Sequence, residues 1–485
     1  MISFLISLAV LIGGYFVYGL FVEKVFGIDA SRKTPAMERP DGVDFIPLPT
    51  WKVFMIQFLN IAGLGPIFGA IMGVMFGPAA FLWIVLGTIF GGAVHDFLSA
   101  MISLRKGGAS LPEIVGDELG MTVRQVMRVF SILLLILVGA VFVVTPSGLI
   151  ASMTPGWMDA RFWAVAIFIY YILATMLPVD KLIGNLYPLF GGALLFMAVA
   201  LMCTLFFGDV TIPDGFSEGL FNRKADAAGQ PVFPMMFVSI ACGAISGFHA
   251  TQSPMMARCL KNEKLARPVF YGAMVAEGIV ALIWAAAAIA FTGGYGELQQ
   301  YMAAEGHSAG SLVHDISISW LGAVGGVLAI IGVVAAPITT GDTALRSARL
   351  IVADMTGFSQ KQMWRRALLC LPIFGVTFAL MMIDFNVLWR YFAWSNQTLS
   401  VFTLWAVTVY LARRGRFYPV TLLPALFMTV VCVSYILHAP VPEGFGLDYT
   451  MAVGAGMAVA AVMLGFFAMF LRSVRAARVQ TPAEV

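Results

Sequence analysis

The chain has 485 residues, of which 60% are hydrophobic and 11% charged, with a mean hydropathy of +0.90. Soluble domains carry roughly 25% charged residues, so the composition excludes a soluble globular protein and describes an integral membrane protein with many crossings. A net charge of +3 gives no sign of a nucleic-acid partner, and five single, widely spaced cysteines imply neither a disulfide framework nor a zinc site.

A crossing helix needs about 20 apolar residues. In chain order the spans predicted are 2–22, 52–76, 78–103, 125–146, 161–177, 184–208, 233–257, 268–291, 319–350, 366–384, 387–411, 417–437 and 448–471, thirteen in all. The first lacks a basic leader and a small-residue cleavage site and is read as a retained helix. The loops between spans alternate in basic content. Lys24, Arg32, Lys33, Arg39 and Lys52, the groups around Arg105, Lys181, Arg258 and Arg346, the run Arg413–Arg416 and the tail with Arg472 fall on one side. Only Arg161, Arg223, Lys224 and Arg390 fall on the other. The positive-inside rule places the first set in the cytoplasm, with the N-terminus outside and the C-terminus inside.

The second span contains "NIAGLGPIFG" (60–69) and the seventh "SGFHATQSP" (246–254), glycine- and proline-bearing runs that cannot remain regular helix in hydrocarbon. Irregular backbone at membrane depth is tolerated where protein buries it or water reaches it. The two breaks lie five spans apart, so the blocks of five that they open have opposite orientations, and matched breaks of this kind point to a transporter site between inverted repeats. The organisation expected is an N-terminal helix and cytoplasmic loop (1–51), a first five-helix repeat (52–208), a periplasmic loop (209–232), a second, inverted repeat (233–411), and two C-terminal helices with a basic tail (412–485). Gly63, Gly65 and Pro66 in the first break and Ser246, His249, Thr251 and Gln252 in the second are the candidate substrate contacts, and the second break is expected to be unwound across 246–254.

Ionisable groups within spans cost roughly 2.5–3.5 kcal/mol each on insertion scales, so each needs a role. His95 and Asp96 lie inside the third span and Glu277 inside the eighth; they are read as supporting residues, with His95–Asp96 either a partner of His249 or a polar pair between helices. The ninth span ends with Thr339, Thr340, Asp342 and Thr343 after an expected break at Pro337. Three hydroxyls and a carboxylate make an oxygen-rich site that suits a hard cation or a proton; the alternative is that Asp342 only pairs with Arg346 one turn later. The eleventh span adds Asn396 and Gln397 as further candidate substrate contacts. Arg390 and Asp384 are read as flanking an outer turn, and His307, His314 and His438 are assigned no role.

Five segments together, "IAGLGPIFG", "GGAVHDF", "SGFHATQSPMMAR", "TTGDTALRSAR" and "WRYFAWSNQTLS", resemble the carbon-starvation protein family of bacterial inner-membrane transporters. The resemblance implies uptake of peptides or pyruvate with proton coupling, and a leucine-transporter-like five-plus-five fold. It also implies a cation site between Gly63 with nearby carbonyls and Thr339 with Thr340. The function expected is a secondary active transporter importing a small carboxylate, pyruvate favoured, coupled to protons. The alternative is peptide or amino-acid uptake, possibly sodium-coupled. No phosphate-binding loop suggests ATP as the driver, and no metal or other cofactor is expected. An intramembrane enzyme using His95, Asp96 and His249, or a nutrient sensor partnered with a kinase, are the readings from other classes.

Overall fold

A computed structural model describes residues 1–480 apart from 43, 153, 177, 178, 214, 217, 218, 306, 359–361 and 384; the expected role of Asp384 therefore lies outside the described residues. Among the described residues, eight helices are long and apolar enough to cross a membrane: α1 (Ile2–Phe26), α4 (Ala79–Arg105), α5 (Met121–Ala151), α7 (Tyr187–Phe207), α9 (Glu263–Thr292), α12 (Met363–Leu380), α14 (Pro419–His438) and α15 (Tyr449–Ala476). Two bent pairs raise the number to ten: α2 (Thr50–Ile61) with α3 (Gly65–Val74), bent by 53°, and α10 (Ala309–Val327) with α11 (Gly332–Thr356), bent by 84°. The chain is a multi-pass, all-helical membrane protein among the described residues. The other predicted crossings coincide with three elements. These are the shorter α6 (Ala160–Met176), the polar α13 (Phe385–Arg413), and a segment that is helical only in pieces, Val232–Met236, Phe237–Ser239 and α8 (His249–Ala257).

Burial separates centre from rim. The apolar windows of α4 and α9 are 83% and 78% buried, those of α1 and α15 only 22% and 17%. With no water to solvate backbone groups in hydrocarbon, only intact helices can face lipid. Accordingly α1 and α15 present Val17, Met451 and Phe466 outward, while the irregular segments sit inside. α11 packs along α5, and α13 along α14.

Each end of the bundle has its own polar network. At one end Arg105 makes a forked pair with the buried Glu263, at 3.1 and 2.9 Å, and also donates to the Gly27 carbonyl. Nearby, Arg258 donates to Gly108 O and Lys106 pairs with Asp117 and Glu118. At the opposite end Lys224, Asp226, Arg390, His438 and Glu443 line a cavity of about 600 Å³, and Arg390 pairs with Glu443. Burial lowers the pKa of the Lys224 ammonium from its ordinary value.

Candidate functional site

The first break falls where the sequence places it. α2 ends at Ile61, residues 62–64 leave the helix, and α3 restarts at Gly65 with Pro66 in its first turn, where the missing proline N–H has no helical partner to lose. The second break is displaced toward the N-terminus. Residues 240–248 are non-helical, whereas His249, Thr251, Gln252 and Pro254 belong to α8, so the expected unwinding of 246–254 is confined to its first three residues. The reason is tertiary. Gly247 lies so close to α13 that a Cβ would collide with Ser400 N and Asn396 O, and Asn396 takes over the freed backbone. Its Oδ1 accepts from Phe248 N at 2.7 Å and from Ser246 Oγ at 3.0 Å, its carbonyl accepts from Gly247 N at 3.1 Å, and its Nδ2 donates to Cys242 Sγ at 3.3 Å. Thr88 of α4 donates to Gly243 O at 3.2 Å.

The two breaks face each other. A Cβ on Gly65 would strike Cys242, one on Gly69 would meet Ser239 O at 2.9 Å, and one on Gly243 would touch Pro66 Cα. Gly65 and Pro66 are therefore brought against Cys242 and Gly243 near the start of the second break, with Ser246 adjoining Cys242, whereas Gly63 lies against Phe142 and Thr340. Thr251 Oγ1 donates to Phe248 O at 2.7 Å, Gln252 Nε2 donates to Thr251 Oγ1 at 3.0 Å, and Gln252 Oε1 has no hydrogen-bond partner among the described residues. Thr251 opens onto a small cavity shared with Arg258 and Ser347. Gln397 Nε2 reaches Phe237 O at 3.5 Å, and its Oε1 is also unpartnered.

A second cluster joins the end of α2 to α11. Pro337 does not break a helix here. It follows the π-helical turn Ile330–Val334 within a continuing helix, and the bend lies upstream, between Val327 and Gly332. Thr340 Oγ1 lies 3.2 Å from Leu59 O and 2.9 Å from Ala336 O, Thr343 Oγ1 lies 3.5 Å from Asn60 Oδ1, and a Cβ on Gly63 would stand 3.3 Å from Thr340 Oγ1. Thr339 Oγ1 donates to Ala336 O. Asp342 is fully buried; its Oδ2 accepts from Tyr187 OH at 2.8 Å and its Oδ1 has no hydrogen-bond partner among the described residues. Arg346 donates to Ala174 O at 2.6 Å.

A third cluster joins α4, α8 and α9. Asp96 accepts from His95 Nδ1 at 2.8 Å and from His249 Nδ1 at 2.9 Å, and His249 Nε2 lies 3.6 Å from Glu277 Oε2. All four side chains are fully buried. Asp96 thus touches His249 directly and joins α4 to α8.

Above the breaks, a cavity of about 660 Å³ ends on Phe68 and Trp389. These two rings stand 6.3 Å apart, and Phe392 links Trp389 to Phe142, which in turn lies against Gly63. An aromatic layer thus separates this cavity from the backbone breaks.

Sequence reasoning missed Tyr187, Asn60 and Cys242. A tyrosine followed by proline inside an apolar run, "NLYPLF", was the available signal for Tyr187; the neighbours of Asn60 and Cys242 come from distant helices and left none.

Comparison with known proteins agrees with this architecture. The chain is 43% identical over 338 residues to an uncharacterised membrane protein of Haemophilus influenzae, covering 60% of this chain and 91% of that one. It is 31% identical over 334 residues to the Peptide transporter CstA of Campylobacter jejuni, covering 56% of this chain and 47% of that one. It is 28% identical over 342 residues to the Pyruvate/proton symporter BtsT of Escherichia coli, covering 57% and 47%. The aligned region thus spans about half the length of each of these two named transporters. Among solved structures, a crystal structure of an Eremococcus coleocola manganese transporter superposes with a TM-score of 0.55 at 10% identity over 90% of this chain and 99% of the other, a likeness of fold alone. The family profile for carbon starvation protein CstA matches residues 1–158 and 153–323, most of the chain, which therefore belongs to that family.

Proposed function

We propose that the protein is a secondary active transporter that imports a small carboxylate, with pyruvate favoured, coupled to protons. The observation that carries the reading is the close meeting of two broken membrane segments, Gly65, Pro66 and Gly69 against Cys242, Gly243 and Ser239. α3 begins at Gly65 and α8 at His249, each directly after its break, so each break is followed by the positive end of a helix dipole, which favours an anion there. Gly63, Gly65, Pro66, Ser246, His249, Thr251 and Gln252 would surround it, with Asn396 holding the second break in shape and Gln397 beside it. Glycine-scale contact between the breaks suits a substrate of few atoms. The named relatives include both a pyruvate/proton symporter and peptide transporters, so peptide or amino-acid uptake is the competing reading.

The coupling site in this proposal is Asp342 with Thr339, Thr340 and Thr343. Threonine hydroxyls and the Leu59 carbonyl lie within one cluster with a buried carboxylate whose Oδ1 is unpartnered. Such a carboxylate is costly when charged, which favours a proton over sodium. The proposed frame is the inverted five-plus-five, leucine-transporter-like arrangement with thirteen crossings. The N-terminus would be outside and the C-terminus in the cytoplasm of a bacterial inner membrane.

Counterflow in proteoliposomes tests the function. Labelled pyruvate should exchange unmodified against a pyruvate-loaded interior. Exchange of peptides with no exchange of any carboxylate would transfer the function to the runner-up, and no exchange of either would end the transporter reading. Uptake abolished by replacing sodium with choline would make the cluster a sodium site.

A further inference from the structure

We propose that His249 and Glu277, backed by Asp96 and His95, form a second proton-binding site, distinct from the Asp342 cluster and tied directly to the second backbone break. The proposal rests on the proton-coupled carrier reading above and adds a site to it.

The argument begins with what a carboxylate can do. Asp96 receives one imidazole on each oxygen, His95 Nδ1 at 2.8 Å and His249 Nδ1 at 2.9 Å. An ionised carboxylate only accepts, so both rings present Nδ1–H to it. In a neutral ring the other nitrogen is then a bare acceptor. For His249 that nitrogen, Nε2, faces Glu277 Oε2 at 3.6 Å. Among the described residues neither oxygen of Glu277, nor Nε2 of His249, has a hydrogen-bond partner, and both side chains are fully buried. Two acceptors facing each other in a fully buried site are stabilised by a proton between them. It sits either on Glu277, which then donates to Nε2, or on Nε2, which leaves a carboxylate beside an imidazolium. In the transfer the Glu277 O–H bond breaks as the His249 N–H bond forms, and no other group is needed. A second proton makes both partners protonated, and the imidazolium is then balanced by Asp96.

Position links this pair to transport. His249 is the first residue of α8, immediately after the non-helical segment 240–248. Rewinding or shifting that segment moves the ring relative to Glu277, which α9 holds in place. On the same helix Gly278 lies against Thr88, and Thr88 is hydrogen-bonded to the break at Gly243 O. The titratable groups around the pair are Asp96 and His95 on α4 and the Cys242 thiol on the break itself. Loading a proton and reshaping the break are thus one structural event, on helices other than the α7 and α11 that hold Asp342.

The test uses the full chain in proteoliposomes and reads proton entry, with a trapped pH-sensitive dye, per labelled pyruvate taken up into vesicles that start without pyruvate. In Glu277→Gln the ratio should lose the proton carried by this site and fall to what the Asp342 site alone supports. Infrared difference spectra across a pH step supply a second reading that does not depend on transport. The parent should show the carbonyl stretch of a buried protonated carboxyl, and Glu277→Gln should lose it while Asp342→Asn keeps it. A parent-like ratio in Glu277→Gln, or a Glu277→Gln spectrum that keeps that band, overturns the proposal. If the parent itself exchanges no pyruvate, the carrier reading fails and the infrared band still decides whether this site holds a proton. Should Glu277→Gln not fold, Glu277→Asp retains the acid but withdraws it from His249, and an unchanged titration of the band in that variant would equally overturn it.

Discussion

Asp342 and Asn396 illustrate two ways in which a polar side chain earns a place in a membrane interior. Asp342 leaves one oxygen on Tyr187 and the other without a hydrogen-bond partner among the described residues, which suits a group that takes and releases something. Asp342→Asn is expected to lower substrate accumulation under a pH gradient at least about tenfold, the size of a typical linkage; pyruvate uptake with and without the imposed gradient measures it. Accumulation equal to the parent's would move the coupling elsewhere. Asn396, by contrast, spends all its groups on the second break. Asn396→Ala leaves Ser246 Oγ and Phe248 N without that acceptor, at about 1–3 kcal/mol for each buried group orphaned. The thermal midpoint in detergent should fall, and Asn396→Asp, which keeps the acceptor oxygen, should recover part of the loss. An unchanged midpoint in Asn396→Ala would show that water or neighbours hold the break instead.

At the scale of elements, the breaks matter because they allow two backbones to touch. Gly65 has no room for a methyl group beside Cys242. Gly65→Ala should therefore destabilise by about 1–3 kcal/mol, as overpacking does in a close-packed interior. Cys242→Gly removes the atom that is struck, so the double variant should be more stable than Gly65→Ala alone, a coupling that only residues in contact display. Additive effects in melting experiments would mean that the breaks do not meet in the membrane.

For the whole molecule, the sidedness of the charges is the feature to test. Arg105, Glu263, Arg258 and Lys106 cluster at one end, and Lys224, Arg390 and Glu443 at the other. With the basic loops inside, a single cysteine at position 224 or 443 should react with an impermeant maleimide added to intact cells, and one at 105 or 365 should react only after lysis. Strong labelling at 365 in intact cells would reverse the orientation and the inverted repeat with it.

How much was legible in the sequence depends on the range of the physics involved. The membrane setting, the approximate span positions and the first break follow from local chemistry. Apolar length, loop charge and a Gly-Leu-Gly-Pro run act within a few residues and survive without tertiary context. The grouping of Thr339, Thr340, Thr343 and Asp342 was legible for the same reason, as one face of one helix. The exact extent of the second break was not. Local propensity marked 246–254, but Gly247 against α13 and the side chain of Asn396, nearly 150 residues away in sequence, opened 240–248 instead and let α8 start at His249. Pro337 marked the neighbourhood of a bend without fixing its place, since the chain turns upstream of it, between Val327 and Gly332. Only the tertiary structure could bring Tyr187 to Asp342, or Asp96 and Glu277 to either side of His249, because each of those contacts joins helices whose separation along the chain carries no local signal.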